Sequence, residues 1–285
     1  MLRLGLACRT QMRSFSSSRS LPATHRDLQH MWNKQSSGWN RSRWGWLRKP
    51  LLFAAGVVAF DYFVLPKIID SKPLAPIRRH PEFLVYGIIG LNTLGFALWR
   101  LPQTSRFMYR YGLLQKTARD FNSWQMIGSA FSHQNFWHLA INMFVLYQFG
   151  TTVSRWMGAS TFLESYIDGC VLSSLGSMLL PLLAKQISYL PSLGASGAVF
   201  GAFGTFCYLA PHARLALWFI PLPIGAWWVF LATLGYNAAA MLGRFGGGMD
   251  YAGHVAGSLV GIAYGYIVSD RMRRAREYRL KRMGW

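Results

Sequence analysis

Six apolar runs, each near the length of a bilayer crossing, constrain this chain more than any other feature. They cover about 83–98, 136–153, 162–183, 196–209, 215–242 and 251–268, and a shorter run lies at 51–64 with Asp61 inside it. Hydrocarbon offers no partner to backbone N–H and C=O groups, and runs near twenty apolar residues span it as helices that satisfy those groups internally. The pattern predicts an all-α polytopic membrane protein with six main helices and one extra amino-terminal helix. The stretch from Gln103 to His133 carries Arg106, Arg110, Lys116, Arg119 and Asp120. It reads as a loop with partly embedded helical pieces rather than a crossing.

Charge supports this reading. Only 14% of residues are charged against 52% hydrophobic, yet the net charge is +20. Residues 1–50 hold ten Lys/Arg against Asp27, and 271–282 hold seven against Glu277. A nucleic-acid binder is the obvious rival for so basic a chain. The cations flank the apolar runs, however, where they set topology and meet anionic headgroups, so the partner they imply is the lipid bilayer and not nucleic acid. Both ends are basic, which favours one side for both termini, whereas seven crossings would separate them.

The first residues are Arg-rich, Ser-rich and free of acid: Arg3, Arg9, Arg13 and Arg19 surround Ser14, Ser16, Ser17, Ser18 and Ser20. That composition is expected of a mitochondrial transit peptide, not of a secretory signal with its continuous apolar core. Four parts are expected: a transit peptide at 1–22; a basic segment, short helix and linker at 23–82; the main apolar domain at 83–270; and a basic tail at 271–285. Cys8, Cys170 and Cys207 have no metal-ligand spacing, and no cofactor or metal is predicted.

Several apolar runs carry polar intrusions. Gly194-Ala195-Ser196-Gly197 opens one run just after Pro191. A nucleophilic serine needs an exposed oxygen and small neighbours so that a substrate backbone can approach. Gly194, Gly197, Gly201 and Gly204 equally fit a small-residue helix-packing face. His254 stands in a ladder of Gly253, Gly257, Gly261 and Gly265, a stripe that admits a facing helix closely. Its imidazole, if neutral, could supply the base that a serine hydroxyl requires; a histidine satisfied by a backbone carbonyl is the structural alternative. His138 and Asn142 are one helical turn apart and can donate hydrogen bonds to a developing oxyanion; interhelical polar contact is the structural alternative. Glu164 and Asp168 share a helix face and read as structural contacts rather than an acid pair. There is no His-Glu-x-x-His for a zinc protease, and no acid lies in a Gly-x-Gly-Asp context.

His138-x-x-x-Asn142, Gly194-Ala195-Ser196-Gly197 and Gly253-His254-x-x-Gly257-x-x-x-Gly261 resemble, in order and spacing, the rhomboid intramembrane serine proteases. The resemblance runs from about Phe83 to Asp270. Phe131-Ser132-His133, Gly201 and Gly204 also match the pattern, and the extra helix and transit peptide resemble the mitochondrial, presenilin-associated-like branch. The resemblance implies a six-helix rhomboid core, Ser196 as nucleophile and His254 as general base and acid. It implies an oxyanion site of His138, Asn142 and the Ser196 backbone N–H. Phe200 would pack against the histidine where many members have tyrosine. It also implies the mitochondrial inner membrane and single-span substrates there, including a dynamin-related fusion GTPase and, in fungi, a cytochrome c peroxidase precursor. A membrane scaffold that binds transmembrane helices without cutting them is the non-enzymatic alternative.

Overall fold

The computed structural model describes residues 45–116, 120–184, 190–217, 220–243 and 249–283. The transit peptide expected at 1–22, and the segment from 23 to 44, lie outside the described residues. Two compact units divide the chain, 1–48 and 49–285. In the first, only 45–48 are described, and they are helical.

The second unit is all-α apart from one small hairpin. It opens with helix α1 (49–63), continued after Val64 by the short helix Leu65–Ile69. Pro50, Ala54, Asp61, Leu65 and Ile69 are its buried positions. Their spacings of four and seven residues put them on one stripe. Leu65 and Ile69 pack against Ala159, with Leu163 and Ile167 beside them. The expected linker at Ser71–Pro81 is ordered into Lys72–Leu74 and Ala75–Arg79, then turns through 95° into α2 (Glu82–Leu98).

The segment after α2 is a folded loop, and several of its backbone groups find partners within the protein. Short helices form at Ser105–Tyr111 and Gln125–Gly128. Buried Gln125 donates from Nε2 to the carbonyls of Arg110 and Asp120 and accepts from the Gln115 N–H. Leu114 and Ser192 exchange backbone hydrogen bonds of 2.9 and 3.1 Å, stitching this loop to the segment ahead of Ser196.

The bundle follows as α3 (Phe136–Val145), a π-helical turn at Leu146–Gly150, α4 (Thr151–Met157), α5 (Ala159–Leu183), α6 (Ser196–Leu209), α7 (Ala226–Gly243) and α8 (Tyr251–Arg282). Helices α5, α6 and α8 form its centre. A Cβ on Gly176 would meet the Ala256 side chain at 2.2 Å, and one on Gly261 would meet the Gly201 carbonyl oxygen at 2.3 Å. Thr205 Oγ1 donates to the Gly261 carbonyl at 3.0 Å in the same seam. A second cluster sets Val85 and Ile88 of α2 against Met143, Phe162, Tyr166 and Val199. Large apolar side chains point outward from α2, α3 and α7, among them Leu91, Leu94, Ile141, Phe144, Trp228 and Leu242. Such a surface belongs in lipid. Among the described residues, Ala159–Leu183 and Tyr251–Arg282 are long and apolar enough to cross a membrane, and the pair Lys72–Arg79 and Glu82–Leu98, bent by 95°, passes the same test together.

One sequence expectation is corrected. The run at 215–242 is not one helix: β1 (Arg214–Leu217) and β2 (Ile220–Gly225) form an antiparallel hairpin, and the helix begins at Ala226. Pro221 and Pro223 explain the change, because each removes a helical N–H and clashes with the preceding turn. The basic residues from 271 continue α8, which runs unbroken to Arg282 with Arg271 onward exposed. Glu164 and Asp168 do make structural contacts: Glu164 accepts from Ser160 Oγ at 2.9 Å and Asp168 from Tyr264 at 2.6 Å. Asp168 also faces Asp61 from the extra helix.

Candidate active site

Ser196 is the first residue of α6, reached through a tight approach. Gly194 has φ +123°, a left-handed conformation, and a Cβ there would sit 2.5 Å from His138 Cε1. Only glycine meets both demands without strain. The Gly194 N–H donates to the Ser129 carbonyl at 2.9 Å. The Ala195 N–H donates to Nε2 of fully buried His133 at 3.3 Å.

His254 lies in the first turn of α8. Asp250 caps that helix, accepting the Gly253 N–H on Oδ1 at 3.1 Å, while the His254 N–H reaches the Asp250 carbonyl at 3.1 Å. The two predicted partners meet: His254 Nε2 is 2.8 Å from Ser196 Oγ. Gly257 provides the approach by lying against Gly197 of the facing helix. Phe200, one turn into α6, sets its ring centroid 4.7 Å from the imidazole at 33°, and Tyr251 meets the same ring nearly edge-on at 6.3 Å.

His138 and Asn142 sit on α3 beside this pair. His138 lies against Gly194, its ring 4.9 Å from that of His133. Asn142 is buried, and its Nδ2 donates to the His138 carbonyl at 2.7 Å. One of its two amide hydrogens is therefore taken by its own helix.

A small cavity of about 30 Å³, room for a water or two, lies alongside Ser196 and His254. Ser129, Ser173, Ser174, Ser192 and Asp250 line it. Hydroxyls and a carboxylate there can hold water that the surrounding apolar helices would exclude.

Sequence reasoning missed three contributors. Lys116 Nζ pairs with Asp250 Oδ2 at 3.2 Å across 134 positions of sequence. Ser177 Oγ also donates to Asp250. Asn237 of α7 places Oδ1 2.8 Å from His254 Nδ1. The available signal for Asn237 was a single amide inside an apolar helix, where an unsatisfied polar group is costly. Its partner could not be found without the fold.

The fold and site are those of a helical bundle that brings a serine and a histidine into contact on two glycine-packed helices. The Rhomboid domain family matches residues 120–271, more than half of the chain, and the chain belongs to the rhomboid family. Within that family it is related to the mitochondrial, presenilin-associated rhomboid-like proteins. It is 42% identical over 236 residues to Rhomboid protein 1, mitochondrial, of Saccharomyces cerevisiae, covering 82% of this chain and 67% of that one. It is 35% identical over 187 residues to the presenilin-associated rhomboid-like protein, mitochondrial, of Rattus norvegicus, covering 63% and 47%. It is 30% identical over 165 residues to RHOMBOID-like protein 12, mitochondrial, of Arabidopsis thaliana, covering 52% and 48%. The chain thus spans about half the length of the latter two. Mitochondrial relatives and apolar helices together support a mitochondrial membrane protein.

Proposed function

We propose that the chain is a multi-pass serine endopeptidase of the mitochondrial inner membrane that cleaves transmembrane segments of single-span proteins. The observation that carries this reading is the 2.8 Å approach of His254 Nε2 to Ser196 Oγ at the edge of a polar cavity. A serine oxygen attacks a carbonyl only when a base takes its proton, and that geometry supplies the base.

In the proposed reaction Ser196 Oγ bonds to the scissile carbonyl carbon while its proton passes to His254 Nε2. The carbonyl oxygen becomes negative and receives hydrogen bonds from His138, Asn142 and the Ser196 backbone N–H. The C–N bond then breaks, and His254 returns the proton to the leaving amine. A water from the cavity gives its proton to His254 and attacks the acyl carbon. Collapse releases the acid product, and the proton returns to Ser196 Oγ. The substrate helix must unwind locally first, which glycine eases by about 1 kcal/mol relative to alanine. Inner-membrane substrates of this reading include a dynamin-related GTPase or a cytochrome c peroxidase precursor. The transit peptide at 1–22 and the protease domain at 83–270 are parts of the same proposal.

The test is cleavage of a single-span reporter by purified, detergent-solubilised wild type, Ser196→Ala and His254→Ala. Cleavage by wild type that is lost in both variants is the expected result. Comparable cleavage by Ser196→Ala would sink the serine mechanism, and helix binding with no cleavage by any form would favour a scaffold.

A further inference from the structure

We propose that Asn237 is a positioning residue for His254: it selects the imidazole tautomer that can act as base toward Ser196. The inference rests on the serine endopeptidase reading above and adds a third residue to its Ser196–His254 pair.

A neutral imidazole carries one N–H and one bare nitrogen. To accept the Ser196 proton, Nε2 must be bare, so the ring proton must sit on Nδ1 and needs an acceptor there. The atom facing Nδ1 at 2.8 Å is assigned as Asn237 Oδ1. Amide oxygen and nitrogen are alike in shape, so that assignment must follow from the hydrogen-bond network. Here it does. Asn237 Nδ2 lies 2.8 Å from the Thr233 carbonyl oxygen one turn earlier on α7, and a carbonyl only accepts. Turning the amide over would set oxygen against oxygen at Thr233. It would also present an N–H to Nδ1, placing the ring proton on Nε2, where it can take nothing from Ser196.

Burial strengthens the point. Asn237 and His254 are 4% and 8% exposed, so water does not compete for either end of this bond. Phe200 and Tyr251 flank the ring and hold its plane, while neither offers Nδ1 an acceptor in its ring contact. The plane is thus set by aromatic packing and the tautomer by an amide. A neutral amide performs this orientation without placing a second ionisable group deep among apolar helices, where a carboxylate is expensive.

The test compares wild type, Asn237→Leu and Asn237→Asp in the reporter assay, with thermal midpoints measured in the same detergent. Leucine is close to asparagine in size and suits an apolar helix, so the variant is expected to fold. We expect Asn237→Leu to lower kcat by about 100-fold or more, in the range of a positioned general base, with KM within about twofold. Asn237→Asp restores an acceptor and is expected to recover most of that loss. Nitrogen-15 NMR of histidine-labelled protein reads the tautomer directly: Nδ1 protonated in wild type, a mixture in Asn237→Leu. Unchanged kcat and tautomer in Asn237→Leu overturn the inference, as does equal loss in both variants alongside a lowered midpoint. Wild type that fails to cleave, or Ser196→Ala that still cleaves, defeats the endopeptidase reading instead, and the NMR comparison still decides the role of Asn237.

Discussion

Gly257 of α8 and Gly197 of α6 approach so closely that a Cβ on Gly257 would sit 2.0 Å from the Gly197 carbonyl oxygen. The contact lies one turn from His254 and one residue from Ser196, so it sets the spacing between the two reacting groups. Gly257→Ala must push the helices apart. An error near 1 Å in a reacting geometry costs on the order of 100-fold in rate. Reporter cleavage by Gly257→Ala is expected to fall at least that far, with a lowered thermal midpoint. Near-wild-type cleavage would mean that the seam yields elsewhere.

Phe200 packs against His254 through its ring. Phe200→Tyr keeps that ring and should stay within about threefold of wild-type kcat, whereas Phe200→Ala leaves the imidazole plane loose and should lose about tenfold. Steady-state kinetics on the reporter distinguish them; equal rates for the two would remove packing as the role of this ring.

Asp250 ties Lys116, Ser177 and the first turn of α8 together just ahead of the membrane-spanning segment. Burial by itself would raise its pKa, but the Lys116 ammonium, hydroxyls of Ser177 and Ser192 and the Gly253 N–H outweigh that and hold the carboxyl below its ordinary value. A depressed folded pKa contributes stability that is present above the unfolded value and lost as pH falls through the folded one, so this contribution fades below about pH 4. At neutral pH, Asp250→Asn keeps a helix cap but strands the Lys116 charge. A loss of about 1–3 kcal/mol is expected, and adding Lys116→Met should recover much of it. Thermal melts across pH check this: the wild-type advantage over Asp250→Asn should shrink toward acid pH.

Asp61 of the extra helix is 2% exposed and faces Asp168 on α5. Asp61→Asn can donate an amide hydrogen to Asp168 and should leave the thermal midpoint unchanged or higher. Asp61→Leu leaves Asp168 with its Tyr264 bond alone and should cost about 1–3 kcal/mol, the range for a buried polar group that loses a partner. Limited proteolysis before α2 would report undocking; resistance equal to wild type would show that apolar contacts of Leu65 and Ile69 suffice.

Much of the architecture was legible because lipid reduces the choices. Runs such as 162–183 and 196–209 had to be helical, and the glycine spacing around His254 announced a close helix contact. The run at 215–242 was misread because hydropathy alone cannot see what Pro221 and Pro223 do to a backbone. The loop at 103–133 was correctly kept from being a span, but its ordering by Gln125 depends on carbonyls brought together only by folding.

The chain by itself determined which chemistry was available: a serine between glycines, a histidine on a smooth helix and a pair of donors on a third. Those are local facts, since residue type and helical period are written in neighbouring positions. Only the tertiary structure decided that Ser196 meets His254 across 58 positions of sequence, that Lys116 reaches Asp250 across 134, and that Asn237 turns its oxygen toward Nδ1. The direction of a hydrogen bond depends on where every competing donor and acceptor ends up, and that is settled by packing, not by composition.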